Sequence, residues 1–300
     1  MRILRLYVFG SHGQVACSLR EAATGQSDIV LGFGGRPDVD ILRPDQVEKA
    51  LGEFAPDIVI NPAAYTAVDR AESEPEQAFA ANRDGARIVA EAAGRLGVPI
   101  VHLSTDYVFE GRKREPYVET DATAPQSVYG RSKLEGEHAV AAANERHIIL
   151  RTAWLYSPFG NNFVRTMLHL SKSLDQLRVV DDQIGCPTFA PDIAVAILSM
   201  ARQIDHLGWH REFAGVTHLA GPDEVTWCDF ARRIMRALAQ HGERSVAVEA
   251  IPTSAYPTAA IRPANSRLCC ERLASIFAVR MPPLQRSLEH CITRLLAGQQ

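Results

Sequence analysis

Residues 3–16 read Ile-Leu-Arg-Leu-Tyr-Val-Phe-Gly-Ser-His-Gly-Gln-Val-Ala, and the fold class turns on this stretch. Ile3 to Phe9 is a short apolar run stopping at Gly10, as a buried strand does. Gly10, Gly13 and Ala16 follow as a G-x-x-G-x-x-A turn, and Gln14 to Thr24 continue in helix-compatible residues. In such a turn the first glycine permits a tight bend and the second lets backbone approach a pyrophosphate. The third position must be small so that helix and strand can pack. Amides at the start of the helix then face an anion. The turn pattern is weak alone; its place between a strand and a helix makes it a dinucleotide-binding candidate.

Further strand candidates are Ile29 to Phe33, Ile58 to Ile60, Ile100 to Leu103 and Ile148 to Ala153. Between them lie helix-compatible stretches, notably Pro75 to Leu96 and Tyr129 to Ala143. Short apolar strands alternating with helices predict an α/β fold with a doubly wound parallel sheet covered on both faces. After Trp154 the alternation weakens. Phe163 to Ser173, Asp192 to Gln203 and Trp227 to Gln240 read as helices, Leu177 to Val180 and Val216 to Ala220 as strands, and Ile251 to Pro263 as loop. We expect a Rossmann-type domain over residues 1–153, with a later contribution from about 183–205. Residues 154–182 and 206–300 would form a smaller substrate-binding lobe at the sheet's carboxyl edge, where ligands of α/β proteins bind.

Across 300 residues, 46% are hydrophobic and 22% charged, as in ordinary globular chains. The net charge of −3 offers no electrostatic reason to expect nucleic acid or an anionic membrane as partner. No apolar run approaches the roughly 18 residues of a membrane span. Cys17, Cys186, Cys228, Cys269, Cys270 and Cys291 form no C-x-x-C pair and match no zinc spacing, which suits a reducing, cytoplasmic setting. His206 and His210 have metal spacing but no evident third ligand, so no metal is expected.

Two positions bear on cofactor and chemistry. The second strand candidate ends in Phe33-Gly34-Gly35-Arg36, with no carboxylate until Asp38. An acidic residue there would hold a ribose 2′-hydroxyl, whereas an arginine accepts a 2′-phosphate. Arg36 thus points to NADPH over NADH, or is a solvated surface arginine. Tyr129 and Lys133, four apart on a predicted helix, share a face. A cation near a phenol favours the phenolate, so Lys133 is expected to pull Tyr129 down from its ordinary value of about 10 towards ~7. Ser104 and Thr105, at the end of the Ile100 strand, place a hydroxyl where it could bond the same substrate oxygen. Asp106 and Tyr107 adjoin them, able to contact a polyhydroxyl substrate or simply to make the turn.

Ser/Thr, Tyr and Lys in this order behind a glycine turn resemble the short-chain dehydrogenase/reductases. Longer stretches are similar to the dTDP-4-dehydrorhamnose reductase family in its extended branch. These are NPAAYTAVDRAESEPE (Asn61 to Glu76), STDYVFEG (Ser104 to Gly111), YGRSKLEGE (Tyr129 to Glu137), RTAWLYSPFGNNFVRTML (Arg151 to Leu168), DDQIGCPT (Asp181 to Thr188) and TSAYPTAAIRPANSRL (Thr253 to Leu268). The resemblance implies NAD(P)H-dependent reduction of a dTDP-sugar's 4-keto group. Tyr129 would be the general acid, Thr105 would orient the keto oxygen, and Lys133 would hold the nicotinamide ribose. It places Gly13, Gln14 and Val15 at the pyrophosphate, Asp40 and Ile41 at the adenosine, and Ala64, Tyr65 and Thr66 beside the nicotinamide. Trp154 would pack on the sugar, although read alone it is a core aromatic ending a strand. Asn161, Asn162, Phe163 and Arg262 would serve the nucleotide end, the guanidinium suiting a diphosphate.

Some family members dimerise through magnesium held by carboxylates; here Ser18, Pro191 and Arg294 stand in those places, with Glu21 and Asp192 nearby. A monomer or homodimer is expected, without a metal bridge. Two other readings stay open: a different nucleotide-sugar 4-ketoreductase, or a non-catalytic NADP-binding regulatory subunit.

Overall fold

The computed structural model describes residues 2–298. In chain order, β1 (Leu4–Phe9) leads into α1 (Gln14–Ala22), then β2 (Ile29–Gly34), α2 (Pro44–Phe54) and β3 (Ile58–Asn61). Short helices α3 (Val68–Ala71) and α4 (Pro75–Phe79) precede α5 (Ala86–Arg95), β4 (Ile100–Thr105), α6 (Val128–Ala143) and β5 (His147–Thr152). These strands and a later one, β10 (Gly215–His218), form a six-stranded sheet ordered β10-β5-β4-β3-β1-β2, parallel throughout. β1 pairs with both β2 and β3, so the strand order reverses there and a crevice opens at the carboxyl ends of β1 and β3.

The strands are apolar on both faces because both are covered. Leu6, Val8, Ile60 and Leu150 point to one layer with Leu19 of α1, and Val59, Ile100 and Ile149 to another with Leu51, Val89 and Val140. Ala16, the departure from glycine in the first turn, is fully buried in the first layer, where a methyl fits between helix and sheet.

Pro75 to Leu96, expected as one helix, is interrupted by a π-helical turn over Ala80–Gly85. The cause is tertiary. Gly136 of α6 lies so close that a Cβ there would meet the Asn82 carbonyl oxygen at 2.0 Å. The Asn82 amide meanwhile accepts from Tyr65 N at 2.7 Å and donates to Tyr65 O at 3.1 Å. A π turn absorbs the extra residue that this approach requires, as such turns commonly do beside functional sites.

After β5 come β6 (Leu155–Tyr156), α7 (Phe163–Ser173), β7 (Gln176–Val180), β8 (Ile184–Gly185) and β9 (Thr188–Phe189), then α8 (Ala190–Leu207) and β10 (Gly215–His218). The chain closes with β11 (Val225–Thr226), α9 (Trp227–Gln240), β12 (Ala247–Ile251), β13 (Asn265–Ser266), α10 (Glu271–Phe277) and α11 (Leu284–Ala297). α7, α9 and α11 enclose a second core with Val164, Phe230, Ile234, Leu288 and Ile292. Three small sheets, β11-β8-β13, β12-β7 and β6-β9, complete that half.

One sequence expectation needs correction. The expected boundaries put Val216 to Ala220 in the smaller lobe, yet β10 pairs with β5 as the edge of the main sheet, from Gly215↔Ile148 to His218↔Arg151. Leu273 and Phe277 of α10 also pack in the main-sheet core. Both faces of the edge need cover, and the chain returns from the second half to supply it. Among the described residues no helix is long and apolar enough to cross a membrane, and all six cysteines are free thiols.

Candidate active site

The turn after β1 forms as its glycines require. Gly10 has φ 77°, and a Cβ on it would come within 3.1 Å of the Ala63 Cα, so only glycine lets the two loops approach. Gly13 stands at the N-cap of α1, with its amide bonded to the Gly10 carbonyl at 3.0 Å. The free amides of α1 then open onto the crevice beside Gln14 and Val15. The Gln14 side chain turns away from this role: its Oε1 accepts from Ser157 Oγ at 2.6 Å and Asn162 Nδ2 at 3.1 Å.

At the end of β2, Gly35 lies so near Ser11 that a Cβ would meet the Ser11 Oγ at 2.5 Å. Arg36 follows, exposed at the crevice and without a carboxylate partner among the described residues. Asp40 accepts from Leu42 N at 3.0 Å, and Ile41 packs where a Gly85 side chain would stand. After β3, Ala64, Tyr65 and Thr66 form the opposite wall. The Tyr65 backbone is clamped by Asn82, and its phenol donates to Glu74 at 2.6 Å.

Thr105 ends β4, and its hydroxyl accepts from Tyr107 N at 3.2 Å and donates to Asp106 Oδ1 at 3.0 Å. Tyr129 sits in the first turn of α6, which Ser127 caps by accepting from Gly130 N. The Tyr129 ring meets Tyr107 edge-on at 5.5 Å. Burial raises the Tyr129 phenol well above its ordinary value; the neighbouring Thr105 hydroxyl opposes this, while Asp106 and Tyr107 reinforce it. Burial also lifts Asp106 to about 6, against hydrogen bonds from Ser266 and Thr105, and its Oδ2 is buried without a partner.

Lys133 departs from expectation. Its Nζ donates to the Leu103 carbonyl at 2.6 Å, and burial pushes it down to about 8, with Glu137 pulling upward. Spacing of four put both side chains on one face, but the long lysine stem reaches a β4 carbonyl beneath the helix. Lys133 therefore does not draw the Tyr129 phenol towards 7; burial governs it. One turn on, Glu137 takes Ser104 Oγ at 2.5 Å and forms a buried pair with Arg151 at 2.6 Å. Sequence reasoning passed over Glu137; the signal was its place in Lys-x-x-x-Glu on the same face.

On the other side, Trp154 lines the crevice with Phe163, and its indole stacks on Trp227. In the sequence Trp227 shows only as the start of a helix. Asn162 caps α7, accepting from Arg165 N at 3.2 Å while its Nδ2 serves Gln14 Oε1, Ser157 O and Phe159 O, so both ends of its amide are engaged within the protein. Asn161 is exposed. Arg262 pairs with Asp69 at 2.7 Å and donates to the Tyr107 hydroxyl at 3.3 Å. Every site residue expected from sequence lines this one cleft, of about 1080 Å³.

The carboxylates near the suggested magnesium positions have partners within the chain. Glu21 is paired with Arg294 at 2.6 Å, and Asp192 accepts from Ser287 at 2.5 Å. His210 meets the Leu207 carbonyl, and no group of three ligands is assembled among the described residues.

The family model described as the RmlD substrate binding domain matches residues 3–297. The dTDP-4-dehydrorhamnose reductase of Sinorhizobium fredii is 48% identical over 293 residues, covering 98% of each chain. The crystal structure of the Bacillus anthracis str. Ames dTDP-4-dehydrorhamnose reductase in complex with NADP aligns with a TM-score of 0.89 at 33% identity, over 98% of this chain and 100% of that one. A Streptomyces antibioticus protein, a probable dTDP-4,6-dihydroxy-2-methyloxan-3-one 4-ketoreductase, is 37% identical across 99% of this chain and 97% of its own. With a glycine turn, a Thr-Tyr-Lys set and an aromatic wall on one cleft, and with matches along nearly its whole length, the chain belongs to the dTDP-4-dehydrorhamnose reductase family.

Proposed function

We propose that this chain reduces the 4-keto group of dTDP-4-dehydro-6-deoxy-L-mannose to dTDP-L-rhamnose, with NADPH as reductant and Tyr129 as proton donor. The observation that carries the reading is the meeting of Thr105, Tyr129 and Lys133 in the cleft that the phosphate-binding turn opens. The residues present fit the dinucleotide. The Gly10 and Gly35 approaches leave a backbone cradle, α1 offers free amides for the pyrophosphate, and Arg36 is free for a 2′-phosphate. When bound, NADPH supplies the hydride.

The protein's part is to place and move a proton. A phenol held above its ordinary value is neutral near pH 7, so Tyr129 carries the proton that the keto oxygen must gain. Thr105, beside it, donates a hydrogen bond to the same oxygen, exchanging its present acceptor Asp106. Lys133, protonated below about 8, holds the nicotinamide ribose. Asp106, Tyr107 and Trp154 face the sugar, and Arg262 the diphosphate. The Streptomyces relative gives a second reading its support: another dTDP-linked 4-ketosugar on the same machinery.

The test is oxidation of NADPH with dTDP-4-dehydrorhamnose, wild type beside Tyr129→Phe. Turnover that the substitution lowers by about a hundredfold or more supports both reaction and donor. Tight NADPH binding without wild-type turnover would shift the reading to another ketosugar or to a regulatory subunit.

A further inference from the structure

Trp154 has φ 47°, a left-handed conformation that is strained for so bulky a residue. Its surroundings hold it there. The indole lies on Trp227 with centroids 3.5 Å apart and planes within 9°. So small a separation leaves little offset, an arrangement that aromatic rings do not prefer by themselves, so packing imposes it. The indole also occupies the place of a missing side chain: a Cβ on Gly185 would lie 2.3 Å from its Cε2 and 2.7 Å from its Nε1. The backbone is pinned as well, since the Trp154 carbonyl accepts from Thr188 N at 3.1 Å.

These contacts join two parts of the molecule. Trp154 stands two residues beyond β5, whose Thr152 lies opposite Thr105 in the main sheet. Gly185 lies in β8, the centre of the small β11-β8-β13 sheet, and Trp227 directly follows β11. The ring that follows this strand end is thus set by elements of the other half. Phe163 packs on Trp227 at 4.6 Å and extends the same wall into the cleft.

We propose that Trp227 and Gly185 are positioning residues that fix the Trp154 indole as the wall orienting the nucleotide sugar, a role that rests on the reductase reading above. Trp227 acts by stacking and Gly185 by leaving room.

The experiment uses the full chain, with circular dichroism to read the exciton couplet of the stacked indoles, steady-state kinetics with dTDP-4-dehydrorhamnose, and NADPH binding. Trp227→Leu is expected to abolish the couplet and raise KM for the sugar roughly tenfold, with NADPH affinity unchanged. Trp227→Phe, which keeps a ring, should restore most of the KM while still lacking the couplet. Gly185→Ala should displace the indole and give the same KM change by an independent route, and it decides the matter if Trp227→Leu fails to fold. Loss of the couplet with KM unchanged would overturn the proposal. So would equal losses in sugar KM and NADPH affinity that Trp227→Phe does not rescue, since these mark a merely structural role. Absence of wild-type turnover would sink the reductase reading along with it; turnover with unaltered variants sinks this proposal alone.

Discussion

Lys133 Nζ is anchored on the Leu103 carbonyl oxygen at 2.6 Å, and not on the phenol of Tyr129 four residues before it. Helix α6 is thereby pinned to β4 by a buried cation, and Tyr129 stays a neutral phenol. Two groups that sequence spacing treats as one device are separate in the structure, each governed mainly by its own burial.

This separation predicts the alkaline side of the pH–rate profile. Burial lowers Lys133 to about 8, so its charge is present below that pH and lost above it. In the proposed function that charge helps hold the nicotinamide ribose, and activity should therefore fall above pH ~8. Lys133→Arg, which stays protonated, should remove that limb whatever its effect on maximal rate. A limb near pH 7 that persists in Lys133→Arg would contradict the assignment.

Arg36 should decide the cofactor. A charge-assisted hydrogen bond contributes about 1.5–3 kcal/mol, so Arg36→Ala should reduce the preference for NADPH over NADH by roughly 10- to 100-fold. Because Arg36 is exposed and has no structural partner among the described residues, thermal stability should not change. Parallel kcat/KM values with both cofactors check this, and an unaltered ratio would refute it.

The buried Glu137–Arg151 pair, with side chains 3% and 5% exposed, should matter for stability. Removing one partner leaves the other charge buried, which costs about 3–5 kcal/mol. Glu137→Gln is expected to lower the free energy of urea unfolding by an amount of that order. The half-exposed Arg87–Glu91 pair makes the comparison, since Glu91→Gln should barely move the midpoint.

His218 supplies an acid-sensitive element. Its Nδ1 donates to the Cys269 carbonyl at 3.2 Å, its Nε2 is buried without a partner, and burial with Arg151 nearby lowers it to about 3. Between pH ~3 and its unfolded value of about 6.5 the unfolded chain binds the extra proton, so stability rises with pH by up to about 1.4 kcal/mol per unit. Asp106, raised to about 6, acts in the opposite direction between ~4 and 6. The comparison is therefore wild type minus His218→Asn, measured by denaturation from pH 3 to 7. A difference that does not change with pH would show that His218 is not buried neutral.

Gly136→Ala should cost more than helix propensity implies. Its Cβ would press on the Asn82 carbonyl, a backbone atom in the π turn that cannot step aside cheaply. A loss of about 1–3 kcal/mol is expected, together with weaker NADPH binding, because Asn82 clamps the Tyr65 loop. Stabilisation by the alanine would mean that the π turn is not held by this contact.

The sequence by itself determined the parallel α/β sheet, the glycine turn after the first strand and most of the residues that line the cleft. Those signals are local: apolar strands buried on both faces, glycines where backbone must bend or approach, and Thr105, Tyr129 and Lys133 at set points on a strand and a helix. Only the tertiary structure decided where the side chains end. The Lys133 stem finds a carbonyl on another element, the Asn162 amide is used up by Gln14, Ser157 and Phe159, and β10 returns to complete the main sheet. Trp227, Gly185, Asn82 and Glu137 belong to the same class. Their importance lies in contacts with residues tens of positions away, which no local spacing encodes, because long side chains and close backbone approaches are settled by whichever partner folding brings within reach.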